Sequence, residues 1–189
     1  MLSGYIHPVL RSATSYSKCQ CPNAEEQLDL TEETWALLNL NFPRLGIQSA
    51  LDDFFNKMLM VNCQTCKQLH QERTKRSLVV APRVLAISIS RLDINTQQQI
   101  KDLIAAPDEI NLPLAADSVV ENSTRNVSYK LSAAILPTPG HFQALLNHGD
   151  RYYRVSDAHR PTLAGRLDIR RAEIYLFIRI ESDADADYM

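Results

Sequence analysis

The spacing of apolar residues changes period along the chain. In IQSALDDFFNKMLM (47–60), Leu51, Phe54, Phe55, Met58 and Leu59 recur at helical spacing. This predicts one helix over the whole stretch, with Ser49 as N-cap and Asp52 and Asp53 in the first turn, where carboxylates suit the helix dipole. Its single apolar stripe is expected to face the core. Past residue 80 the period falls to two. RVLAISISRL (83–92) sets Leu85, Ile87 and Ile89 on one face and Ala86, Ser88 and Ser90 on the other; SYKLSAAIL (128–136) groups Tyr129, Leu131, Ala133 and Ile135. HFQALLN and RYYRVS flank His148-Gly149-Asp150, a glycine-containing hairpin loop. EIYLFIRI (173–180) is apolar on both faces and reads as a central, doubly buried strand. Strands joined by tight turns predict a mostly antiparallel sheet. The remaining stretches before residue 80 read as mixed and loop-rich, and the tail ESDADADYM as acidic and frayed.

Composition narrows the classes. A chain of 189 residues with 45% apolar and 22% charged residues is expected to be one folded domain. A net charge of −2 argues against nucleic-acid binding, and the one basic cluster, QERTKRS (71–77), reads as a solvated hairpin flank. No apolar run has the length of a membrane span. MLSGYIHPVL lacks the charged start and apolar core of a signal peptide, so the glycosylation-type positions Asn122 and Asn126 read as chance matches. The expected setting is intracellular, cytoplasm or nucleus, with four cysteines that are thiols or metal ligands rather than disulfides.

Those cysteines come in two close pairs, Cys19 with Cys21 and Cys63 with Cys66. Two short-range thiolate pairs brought together by a fold make a tetrahedral zinc site. CQTC has the usual spacing, CQC is one residue tighter, and His70 stands near enough to replace a poor ligand. A second chemical signal lies in TPGHFQALLNHGDRYYRVSDAH (138–159). His141 follows Pro139-Gly140 at the mouth of a strand, and Gly140 lets a substrate chain pass close. Asp157 stands just past the end of the strand expected to pair with it. An aspartate holding one ring nitrogen would leave the other free as a general base. His148 and His159 read as solvent-facing loop residues. The nucleophile is missing from this picture. Cys19 or Cys21 would serve only at a helix N-terminus, such as CPNAEEQ could start with Pro22 in first position.

Taken together, these segments resemble the ubiquitin-specific proteases, the papain-like thiol deubiquitinases. CQC and CQTC stand where that family has the zinc cysteines of its fingers. APRVLAISISRL, IKDLIAAPDEINLP, YKLSAAIL with PGHFQALL, YYRVSDAH and AEIYLFIRI follow in the family's order, with Leu92 in place of the usual Phe. The resemblance implies an α+β fold: half of a papain-like cysteine protease domain, with a mostly antiparallel palm sheet, a fingers extension and no N-terminal thumb. It implies fingers at about 5–80, a palm at about 81–182 and an acidic tail at 183–189. It implies His141 as base, Gly140 and Phe142 as binding residues beside it, and structural zinc on Cys19, Cys21, Cys63 and Cys66. Asp157 is the orienting acid, because the family's usual first Asp or Asn is here Ser156. The implied partner is ubiquitin or a ubiquitinated protein, together with a thumb-bearing segment or chain. The family's Cys box is not found in this sequence. Three functions follow: a ubiquitin isopeptide hydrolase when completed, inactive alone; a ubiquitin-binding protein or scaffold without chemistry; or an autonomous protease using Cys19 or Cys21.

Overall fold

The computed structural model describes residues 9–16, 29–35, 37–43, 45–62, 67–93, 95–115, 124–149, 151–157 and 159–181. The first part of the chain forms β1 (Val9–Tyr16), β2 (Asp29–Thr34), β3 (Leu38–Asn41), helix α1 (Ile47–Phe55), β4 (Asn56–Asn62) and β5 (Leu69–Val80). The second part forms β6 (Val84–Ser90), β7 (Glu109–Ala115), β8 (Thr124–Thr138), β9 (His141–His148), β10 (Arg151–Ser156), β11 (His159–Ala164), the short helix α2 (Arg166–Ile169) and β12 (Ile174–Arg179). The class is α+β, as the alternation past residue 80 indicates. All strand pairs are antiparallel except β3–β6 and the single rung Leu78–Leu114 between β5 and β7.

The palm sheet runs β3-β6-β12-β8-β9-β10-β11. β3 lies in the first part of the chain yet pairs with β6 in the second. The long β8 organises the sheet, with β12 along one edge and β7 and β9 sharing the other. One face of the sheet carries Leu85, Ile87, Ile89, Tyr129, Leu131, Ala134, Leu145, Tyr175 and Phe177, all buried with α1 residues Ile47, Leu51 and Phe55. At about 1.5–3 kcal/mol for each fully buried large apolar side chain, this layer dominates the favourable side of folding.

Four details depart from the sequence reading. The helix stops at Phe55: Asn56 leaves helical geometry with φ −127°, its side-chain amide donates to Asp52 O at 3.2 Å, and the next seven residues pair with β5. The helix starts at Gly46, not at a Ser49 cap, and has no acidic residue in its first turn. Only glycine fits at 46, where φ is +115° and a Cβ would stand 2.8 Å from Ala105 O. In β8 the register shifts at Ser132, because Leu176 faces Ala133 while Phe177 faces Leu131. This bulge moves Ala134, rather than Ala133, onto the core face opposite Tyr175. β12 is central but not doubly buried: Tyr175 and Phe177 are enclosed, whereas Ile178 is exposed on the other face.

The stretches read as loop-rich contain strands β1, β2 and β5, which with β4 form a sheet ordered β4-β5-β1-β2. β1 ends at Tyr16 opposite Glu72, and β4 ends at Asn62 opposite Leu69, so connections 17–28 and 63–68 leave the same end of this finger-like sheet. The four cysteines lie in those connections, outside the described residues, and so does the acidic tail.

Candidate functional site

His141 is the first residue of β9, reached through the two-residue turn Pro139-Gly140. Proline fixes its own φ, and Gly140 adopts φ +72°, a pairing suited to a type II turn. The Thr138 hydroxyl donates to His141 O at 2.9 Å and closes the turn. Around Gly140 there is open space, and Phe142 is 67% exposed. Asp157 stands in the two-residue connection from β10 to β11, just past Ser156, which pairs with His159.

Consecutive hairpins bring the two together. His141 Nε2 lies 3.1 Å from Asp157 Oδ1, with 41% and 79% of the side chains exposed. A carboxylate only accepts, so in the neutral ring the hydrogen sits on Nε2 and the lone pair on Nδ1. The arrangement therefore leaves the Nδ1 lone pair free to accept a proton, with a carboxylate on the opposite side of the ring. The acid in contact with the ring is Asp157. His148 is exposed, with its ring 6.5 Å from that of Tyr153. No cysteine is among the described residues, and no metal-binding group of three or more His, Cys, Asp or Glu side chains is present among them.

A polar cluster on the core side of β10 went unseen in the sequence. The Tyr152 hydroxyl donates to Asp108 Oδ1 at 3.1 Å, and Arg166 grips Asp108 Oδ2 with two nitrogens at 3.0 and 2.9 Å. Burial, aided by the Asp108 carboxylate, pushes the Tyr152 phenol up to about 12. Arg154 bridges Asp168 at 2.8 Å, and Asp168 also accepts from Gly165 N. Arg91 is buried past the end of β6, donating to the carbonyls of Ile100, Asp102, Arg170 and Ala172. Only the fold brings these partners together, so no local spacing announces them. A cavity of about 410 Å³ lies between the start of α1, residues 105–108 and α2, and a groove of about 650 Å³ runs beside β3 and α1. Neither is lined by His141 or Asp157. No helix among the described residues is long and apolar enough to cross a membrane.

Comparison with known proteins gives a consistent answer. The sequence model of the family described as "Ubiquitin carboxyl-terminal hydrolase" matches residues 10–177. The comparison with curated proteins found no match. Among solved structures, the chain is similar to one in the SAGA Ubp8/Sgf11/Sus1/Sgf73 DUB module bound to ubiquitin aldehyde, at 16% identity and a TM-score of 0.68, covering 95% of this chain and 42% of that one. It is similar to one in the yeast SAGA DUB module carrying a mutant Sgf73, at 15% identity and a TM-score of 0.63, with the same shares covered. At these identities the likeness shows the fold, and the chain spans less than half the length of the chains it matches.

Proposed function

The chain belongs to the ubiquitin carboxyl-terminal hydrolase family, and from that premise we propose that it binds ubiquitin and supplies the histidine–aspartate half of a thiol hydrolase site. The observation that carries the reading is the contact between His141 and Asp157 at the open end of the palm sheet. His141 Nδ1 takes the proton from a cysteine thiol, and Asp157 stabilises the imidazolium that results. The thiolate attacks the carbonyl carbon at the ubiquitin C-terminus, and His141 returns the proton to the departing amine. Water then releases the acyl group from sulfur, again with His141 as base. Gly140 and Phe142 line the approach of the ubiquitin tail. The proposed setting is cytoplasm or nucleus.

The nucleophile comes from a segment or chain other than the residues described. In sequence, Cys19 lies three residues past Tyr16, the last residue of β1. Ala86, Leu176, Ala133, Leu146, Tyr153 and Leu163 form one cross-strand apolar row on the outer palm face, with Leu146 and Leu163 exposed. Such a face suits a second layer, and we assign it to the thumb-bearing part. Zinc on Cys19, Cys21, Cys63 and Cys66 belongs to the same reading, supported by the two connections that leave one end of the fingers.

The test is capture of the full chain on immobilised ubiquitin, followed by incubation with a C-terminally reactive ubiquitin probe. Binding without covalent labelling is expected. Labelling at Cys19 or Cys21 that disappears in His141→Ala would replace this reading with an autonomous protease. Absence of any binding would leave the fold without this function.

A further inference from the structure

The His141–Asp157 contact depends on a carboxylate that is 79% exposed in a short turn. Its position is inherited from β10, which at this end is paired with β11 through Ser156–His159 and no longer with β9. The last rung between β10 and β9 is Val155–Ala144, two residues short of Asp157. On the other side the β10–β11 register slips between Arg154 and Ser156, opposite a stretch containing Pro161, which has no N–H to donate.

Side chains add to the ladder here. Arg154, next to the last β9 rung, reaches Asp168 Oδ2 at 2.8 Å, and both side chains are mostly covered, at 37% and 20% exposure. Asp168 is itself fixed by the Gly165 N–H at 3.1 Å. Two residues earlier on α2, Arg166 holds Asp108, which holds Tyr152 on the same face of β10. The pairs share no atom, yet both join β10 to α2.

Resting on the reading of His141 as base and Asp157 as its partner, we infer that Arg154 and Asp168 are positioning residues of that site. They clamp β10 to α2, and so set the height at which Asp157 meets the imidazole. The Arg166–Asp108–Tyr152 chain is the clamp's second point, nearer the start of the strand. Among the described residues Asp157 is the charged group in contact with the ring, so a shift of β10 acts on the ring through it.

The test reads the tautomer of His141 from its ring nitrogen shifts by NMR in the full chain, at about pH 9 where imidazoles are neutral. His148 serves as internal control. In the native chain the hydrogen should reside on Nε2 alone. Asp157→Ala should give a mixture of tautomers. Arg154→Gln and Asp168→Asn should move His141 most of the way to that mixture while leaving His148 unchanged, and Arg154→Lys should restore it. If Asp168→Asn loses the fold, Arg154→Gln, which keeps the contact of Asp168 with Gly165, decides the matter. Folded Arg154→Gln with a native His141 spectrum overturns the clamp and leaves the base reading standing. An unchanged spectrum in Asp157→Ala overturns both.

Discussion

A single glycine and a single arginine show how much of this fold hangs on individual positions. Gly46 joins the approach to α1 at φ +115° with Ala105 O and Cβ already in contact range of any side chain. Gly46→Ala should cost about 1–3 kcal/mol from backbone strain alone, with the clash added, read as a lowered urea midpoint at unchanged m-value. Arg91 donates to carbonyls from two separate segments; Arg91→Met would remove these bonds, leaving Arg170 O only its bond from Ile104 N and Ala172 O only its bond from the Tyr175 hydroxyl. A loss of about 3 kcal/mol is expected, and a loss within error of zero would show that those carbonyls find water. The contact of His141 with Asp157 was legible in the sequence because hairpin geometry sets the start of one strand beside the end of the next. Asp108 was not, because Tyr152 and Arg166 lie 44 and 58 residues away; nor were Arg91 with Arg170 and Ala172, or Asp168 with Arg154, because no hairpin relates those pairs.

At the scale of elements, period alone misjudged the end of α1. Met58 and Leu59 fit a helical stripe, yet they belong to β4, where pairing with β5 outweighs the pattern. The finger strands hide in the opposite way: HQERTKRS is polar at nearly every position, so no period-two signal marks β5 as a strand. Elements also carry the pH response. Tyr175, donating to the Ile169 and Ala172 carbonyls, is pushed up to about 12 by burial, as Tyr152 is by burial and Asp108. The ordinary phenol value is 10.0. The unfolded chain therefore loses these protons first. Their stabilisation is complete below pH 10 and falls as pH rises toward 12. Denaturant midpoints measured across that window should decline, and Tyr152→Phe should flatten part of the slope; equal slopes would deny Tyr152 that role.

Across the whole molecule, the proposals about zinc and about the outer face each have a direct measurement. Protein purified without added metal should carry about one zinc per chain, and Cys63→Ser should abolish it; four freely titrating thiols in a metal-free protein would remove the site. The apolar row on the palm predicts self-association of the isolated chain. Replacing Leu146 and Leu163 together with Lys should shift sedimentation toward monomer, and an unaltered distribution would mean that the association, if any, uses another surface.

The join between fingers and palm has a mechanical consequence. β5 meets β7 at one rung, Leu78–Leu114, and otherwise leans on α1, where Arg76 donates to Phe54 O at 2.8 Å and stacks over its ring. A seam of one rung has few ladder hydrogen bonds, so the join rests on the Arg76 brace and on Leu78, which is buried in the core. Arg76→Ala should loosen that join without loosening the ladders on either side, read as faster hydrogen exchange concentrated at residues 76–80; uniform exchange across both sheets would deny the brace that role.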